Sequence, residues 1–320
     1  MKNNSFIVKY TPKTLDEFNL EENTYKIINT LMLIDDINII CIGNRDSGKT
    51  CFLEILLKEY YGENVNYMEN VLYVNNSKEQ GIQYYRNDVK SFCQTKSSIF
   101  GKKKFVVLDD LDLMNDQSQQ VFRNFMDNYK NNVFFIASCT NIQKILETLQ
   151  SRQYLLHLNN VDDTKMLNMC NKIIENEIIN ITDEAKSFII KISNYSLRIL
   201  MNYLEKIKIY NDHVDLQLAN KLCTNIDFND FSNYLNHINN ENIQHAINIL
   251  YELYDKGYSV MDILDEFFSY LKLTLLLTND IKYKIIPYVC KYIHIFHDLH
   301  EDEIELSLFT NNLYKLIHNL

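Results

Sequence analysis

The octapeptide GNRDSGKT at positions 43–50 carries the most specific chemistry in the chain. It has the form G-x-x-x-x-G-K-[ST]. It follows an apolar run, INIICI (37–42), and opens a helical pattern that continues to about Tyr61, the strand–loop–helix context that a phosphate-binding loop requires. Gly43 and Gly48 let the backbone turn its N–H groups toward phosphate oxygens, and the helix N-terminus adds a dipole that favours anions. Asn44, Arg45, Asp46 and Ser47 complete the loop, and Cys51 follows it in the first helical turn. Lys49 is placed to reach β- and γ-phosphates, and Thr50 to ligate Mg2+. A second element, FVVLDDLD (105–112), is an apolar strand that ends in acids. Asp109 at its tip suits Mg2+, and Asp110 suits the orientation or deprotonation of an attacking water. The two elements together point to hydrolysis of a nucleoside triphosphate.

The elements that must position these residues are legible as short apolar runs. Strands are predicted at 37–42, 71–74, 105–110, 133–138 and 154–158, alternating with helical patterns at 49–61, 83–93 and 117–129. Such alternation predicts a parallel sheet with helices on both faces. Beyond about residue 160 only helical spacing remains, over 162–180, 183–193 and 196–208. Ile243, Ala246, Ile247 and Leu250 then mark one helical face, which Gly257 ends. Val260, Ile263, Leu264, Phe267 and Leu271 mark the next. The expected organisation is an α/β nucleotide-binding domain over 1–158, a small helical lid over 159–226 and an all-α domain over 227–320.

Composition narrows the function classes. The chain has 320 residues, 46% of them apolar, which supplies cores for about two domains at roughly 150 residues each. No apolar run approaches the ~20 residues of a membrane span, and MKNNSFIVKYTPKT lacks the apolar block of a signal peptide, so an intracellular protein without a membrane partner is expected. Seven scattered Cys without a CxxC read as reduced thiols. A net charge of −10 excludes a strongly basic nucleic-acid binder as a whole-chain description, though not a local basic face. Asn, Ile, Lys and Tyr are abundant, as in AT-rich coding genomes such as those of large DNA viruses and protists. Only 5 of the 32 basic residues are Arg, and Lys does not reproduce the planar guanidinium fork.

Further segments keep a fixed order: VKYTPKTLDEF (8–18), NNSKEQGIQYYRNDVKSF (75–92), LDDLDLMNDQSQQVFRNFMD (108–127), ILETLQSRQ (145–153) and SNYSLRILMNYL (193–204). In order and spacing they resemble the small subunits of replication factor C, a family of AAA+ clamp-loader ATPases, collinearly over about 5–225. The last ~95 residues are similar only as helices, like the family's collar. The resemblance implies a P-loop AAA+ domain, a helical lid and a collar. It further implies ATP and Mg2+ as cofactors and a pentamer-like hetero-oligomer with other loader subunits. The sliding clamp and primer–template DNA follow as partners, in a nucleus or a viral replication compartment. Arg152 of QSRQ falls on the position of the arginine finger, which acts in trans on the neighbouring subunit's ATP. Arg198 falls on the sensor-2 position and Thr140 on sensor 1, with Asn141 beside it. Arg86, Lys90 and Arg123 fall on the DNA-facing segments, and Ile99 and Phe100 end a clamp-contacting one. From Gln83 to Lys104 six basic residues stand against one acid, Asp88, which suits phosphate-backbone contact without base readout.

Four departures from the family pattern bear on mechanism. Asp110 stands where active relatives carry Glu, and a carboxylate displaced by about 1 Å loses up to ~10²-fold in rate. GNRDSGKT lacks the prolines of GPPGTGKT, Thr11 replaces the Arg of KYRP, and Gln153 replaces the Cys of Ser-Arg-Cys. A catalytically weak scaffold subunit of the same loader, or another AAA+ DNA-remodelling ATPase such as a branch-migration motor, are the alternatives. A simple nucleotide kinase does not explain the trailing helical domains. His294, His297 and His300 recur at a spacing of three but lack a metalloprotease pattern, and are read as a polar bundle face.

Overall fold

The computed structural model describes residues 5–18, 20–62, 66–75, 82–159, 161–210, 212–224, 226–298 and 302–318. The chain divides into two compact units, Met1–Lys165 with Tyr195–Arg198, and Met166–Asn194 with Ile199–Leu320.

The first unit is built on five strands: β1 (Ile39–Ile42), β2 (Val71–Asn75), β3 (Lys104–Asp109), β4 (Val133–Cys139) and β5 (Tyr154–His157). They pair in parallel in the order β2-β3-β4-β1-β5. The interiors of the central strands are mostly apolar because both faces of the sheet are covered. Ile39, Cys41, Phe105, Val107, Phe134 and Ile136 enter one core with Phe52, Leu53 and Leu56 of helix Lys49–Tyr61. Ile40, Ile42, Val106, Leu108, Phe135 and Ala137 enter the opposite core with Phe122, Phe125 and Met126 of helix Asp116–Tyr129. Full burial of each large apolar side chain is worth about 1.5–3 kcal/mol.

All five expected strands form, and their ends differ by one or two residues. The first begins at Ile39 and not at Ile37, because Asn38 uses its side chain as a clasp. Its Oδ1 accepts from the Phe135 N–H at 3.0 Å and its Nδ2 donates to Asp36 Oδ1 at 2.8 Å. The third ends at Asp109, not Asp110, because Asp110 turns into the left-handed region at φ 50°. The helix expected over 83–93 is broken into Ile82–Tyr84, a wider turn at Tyr85–Val89, and Lys90–Gln94. Tyr85, Val89 and Cys93 keep one face of it in the core, with Tyr85 edge-on to Phe122 at 5.2 Å. Residues 76–81 of the NNSKEQGIQ segment lie outside the described residues.

The second unit is helical. The expected patterns appear as Asp163–Glu177, Asp183–Ile192 and Leu197–Tyr210, with Leu216–Cys223 following. Thr182 and Asp215 cap the helices that they precede, accepting from Ala185 N–H and Leu218 N–H. Helices Phe228–Asn239, Ile243–Asp255, Val260–Leu273, Asn279–Asp298 and Ile304–His318 share one core around Tyr234, Phe231, Phe267 and Phe309. Gly257, the helix stop read from the sequence, sits just past the second of these in the left-handed region at φ 97°. No helix of the described residues is long and apolar enough to cross a membrane, and among them no three or more His, Cys, Asp or Glu side chains gather as a metal-ligand group. The His297 side chain and His300 lie outside the described residues.

Candidate nucleotide site

The phosphate loop leaves β1 at the carboxyl edge of the parallel sheet, where this class of fold binds its ligands. Gly43 starts it, with its N–H bonded to Cys139 O of β4 at 3.2 Å. A Cβ here would meet Ser47 Oγ at 2.6 Å and Leu158 O at 3.2 Å, so a side chain would crowd the loop. Gly48 adopts φ 87° at the head of helix Lys49–Tyr61, and its Cα faces the Phe18 ring. Phe18 in turn packs edge-on to Phe52 at 5.7 Å. The N-terminal segment thus braces the loop. Cys51 adds to this brace, since its thiol faces Pro12 O at 3.8 Å and burial pushes its pKa up to about 11. Cys51 therefore offers the loop its backbone and not a thiolate.

Lys49 is buried, and its ammonium donates to the carbonyls of Gly43 at 3.0 Å and Asn44 at 2.9 Å. A buried cation that donates to loop carbonyls is suited to anionic oxygens. Arg45 is exposed at the loop crest. Asp46 takes φ 60° and receives two groups from Tyr195–Arg198 of the same unit: Ser196 Oγ donates to Oδ2 at 2.8 Å, and Arg198 Nη1 lies 3.7 Å from Oδ1. The structure thus brings Arg198 to the loop.

Thr50 and Asp109, 59 positions apart, meet across the sheet edge. The Thr50 hydroxyl lies 3.2 and 3.1 Å from the two carboxylate oxygens of Asp109. This pair of hard oxygen donors beside the loop fits Mg2+, which takes one or two protein oxygens together with phosphates. Ser138, fully buried near the end of β4, donates to Asp109 Oδ1 at 2.5 Å and accepts from the Asp110 N–H at 2.9 Å. The sequence reading missed Ser138. Its signal was the one hydroxyl in the otherwise apolar run VFFIASC. Partial burial, and next the Asp109 carboxylate, raise the Asp110 pKa above the ordinary carboxylate range, while Lys49 and Arg45 pull it back.

Asp112, also absent from the expected site, organises the segment at Thr140 and Asn141. Its Oδ2 accepts from Thr140 Oγ1 at 2.6 Å, Thr140 N–H at 3.3 Å and Asn141 N–H at 3.1 Å. Burial works against its ionisation, but these hydrogen bonds outweigh it and hold the pKa below the usual value. Thr140 has therefore committed its hydroxyl proton to Asp112 and faces any water as an acceptor. Asn141 Oδ1 caps the next turn through Gln143 N–H at 2.9 Å.

Arg152 lies away from these groups in its own fork with Asp127 of helix Asp116–Tyr129. Arg86 and Lys90 are exposed on the outer side of the 82–94 segment, and Arg123 is half-buried with Nη2 on Asn124 Oδ1 at 2.8 Å. Part of the basic run is architectural. Lys104 is buried and donates to Phe92 O at 3.0 Å and Thr95 Oγ1 at 2.5 Å. Lys103 pairs with Asp35 at 3.1 Å, and Lys102 lies 4.2 Å from the centre of the Tyr60 ring. Ile99 packs on the core, whereas Phe100 is fully exposed.

Similarity to known proteins agrees with this arrangement. Residues 39–157 match the model of the ATPase family associated with various cellular activities, AAA, and residues 228–295 match the replication factor C C-terminal domain. The chain is 26% identical over 268 residues to a protein described as a replication factor C small subunit of Acanthamoeba polyphaga mimivirus, covering 83% of each chain. It is 28% identical over 270 residues to replication factor C subunit 4 of Saccharomyces cerevisiae, covering 83% of this chain and 82% of that one. A solved structure of the RuvB Holliday junction branch migration motor of Thermotoga maritima superposes with a TM-score of 0.52 at 15% identity, over 72% of this chain and 79% of that one, and so shares the fold. With an AAA match at its start, a replication factor C C-terminal domain match at its end and small-subunit relatives along most of its length, the chain is similar throughout to the replication factor C small subunits.

Proposed function

We propose that this chain binds Mg–ATP at its own phosphate loop and hydrolyses it within a pentamer-like hetero-oligomer of loader subunits. The complex places a sliding clamp on primer–template DNA, in a nucleus or a viral replication compartment. Residues 1–158 form the nucleotide-binding part, 159–226 the lid and 227–320 the collar. The observation that carries this reading is the meeting of Thr50 and Asp109 at 3.1 Å beside the buried Lys49 ammonium. That arrangement has a use where a phosphate chain and its cation share one corner.

In this reading Lys49 and the loop N–H groups hold the phosphates, and Thr50 and Asp109 hold Mg2+. The cation neutralises charge that develops on the phosphate oxygens. Asp110 takes a proton from the attacking water as its oxygen bonds to the γ-phosphorus and the bond to the β-phosphate oxygen breaks. Thr140 orients that water as an acceptor, and Arg198 senses the phosphates of the same nucleotide. Arg152 is delivered to the neighbouring subunit's ATP. Arg86, Lys90 and Arg123 meet the DNA backbone, and Phe100, with Ile99 as its base, is the apolar contact for the clamp.

The test is the ATPase rate of the complex isolated through this chain, with and without primer–template DNA and clamp. Joint stimulation that disappears in Lys49→Ala supports the reading. A complex that binds ATP but is not stimulated points to a scaffold subunit with weak turnover. Asp110 favours that second reading, being one methylene short of Glu and set at φ 50° just past the strand.

A further inference from the structure

We infer that Ser138 is the positioning residue of the magnesium corner, an inference that rests on the Mg–ATP reading above. β4 contributes seven consecutive buried residues, and Ser138 is its one hydroxyl. A fully buried hydroxyl must find partners, and the partners of Ser138 are the two acids of the site. Its Oγ donates to Asp109 Oδ1 at 2.5 Å and accepts the Asp110 N–H at 2.9 Å.

Strand register explains the meeting. Leu108 pairs with Ala137 and Cys41 pairs with Ser138, so Ser138 lies beside the tip of β3 and next to the strand that feeds the phosphate loop. Asp109 is the last residue of β3, and Asp110 has already left the strand for a left-handed turn that a non-glycine residue adopts at a cost. Loss of this hydroxyl removes one hydrogen bond that orients the Asp109 carboxylate beside Thr50 and one that holds the Asp110 backbone. The Ser138 hydroxyl fixes both with one atom. It leaves Asp109 Oδ2 facing Thr50 at 3.1 Å. Ser138 touches neither phosphate nor water in this scheme. It acts through Asp109 and Asp110.

The test compares Ser138→Thr with Ser138→Val in the full chain. The two side chains have the same shape and add the same methyl, so any packing defect is common to both and only the hydroxyl differs. Magnesium is titrated against binding of a fluorescent ATP analogue, and the same analogue is titrated in EDTA. Ser138→Val should need about ten-fold more magnesium for half-saturation than Ser138→Thr, a difference of about 1.4 kcal/mol, with equal affinity in EDTA. In an Asp109→Asn background the Thr and Val variants should no longer differ. Equal magnesium half-saturation of the two variants in the Asp109 background overturns the inference. So does a difference that persists with Asp109→Asn. If the unmodified chain binds the analogue without any response to magnesium, the Mg–ATP reading itself fails, which is a separate result.

Discussion

Arg152 is gripped by Asp127 through both prongs of its guanidinium, Nε to Oδ1 at 2.7 Å and Nη2 to Oδ2 at 3.0 Å. Its third nitrogen, Nη1, donates to Thr148 O at 2.6 Å. The hydrogen bond from Arg152 holds the Asp127 carboxyl below its usual pKa. The pair is solvent-exposed, so its contribution to stability is small. Its consequence is orientation, since a bidentate fork fixes the direction of the side chain.

Arg152→Ala should therefore leave ATP binding by this chain unchanged and cut ATPase of the assembled complex at the adjoining site by about 10³–10⁵-fold, the range for loss of an arginine finger. Asp127→Asn should cost the complex only a few-fold in rate, because the guanidinium remains and only its aim is loosened. Steady-state rates of complexes carrying one variant subunit make the comparison. An assembled complex that hydrolyses ATP at full rate with Arg152→Ala removes the finger assignment.

Asp110→Asn should reduce turnover by about 10²–10⁴-fold, the range lost with a general base, while ATP affinity stays within a few-fold. Asp110→Glu should raise turnover if reach limits this site. Single-turnover hydrolysis separates the chemical step from nucleotide binding in both variants. A rate that falls with Glu would show that the left-handed turn, and not side-chain length, sets the position of the carboxylate.

Asp112 links two strand ends, and its ionised form is stabilised in the folded chain. Its folded pKa lies below the unfolded value, so its contribution to stability is complete above the unfolded pKa of about 3.9. That contribution is lost as pH falls through the folded pKa. Asp112→Asn should cost about 1–3 kcal/mol at neutral pH, and the gap to the parent should close below about pH 4. Denaturant unfolding of both chains at several pH values measures it. A gap that widens in acid would mean that the neutral carboxyl is the form the fold prefers.

Arg86→Ala and Lys90→Ala should each weaken DNA binding evenly across sequences and lower the slope of log K against log salt by about one. Lys104→Ala should behave differently, because its ammonium is spent on Phe92 O and Thr95 Oγ1. The expected effect is a lower melting temperature with an unchanged salt slope. Fluorescence anisotropy with labelled primer–template at graded salt, paired with thermal melts, distinguishes the two classes.

Local patterns in the chain determined a good deal by themselves. GNRDSGKT announced a phosphate loop because glycine at two positions and a Lys-Thr pair at a helix start have few other uses in combination. The apolar runs announced five parallel strands because a strand covered on both faces needs no alternation. The helix stop at Gly257 was equally local. What the tertiary structure alone decided are contacts between residues far apart in the chain. Asp112 with Thr140, and Ser138 with both acids, depend on strand order and register, which no short window encodes. The run Lys102–Lys104 shows the converse. Composition makes it a candidate patch for nucleic acid, yet burial and a neighbouring carboxylate turn two of its three charges into architecture. Charge is a property of the residue, whereas its availability to a partner is set by what the fold packs around it.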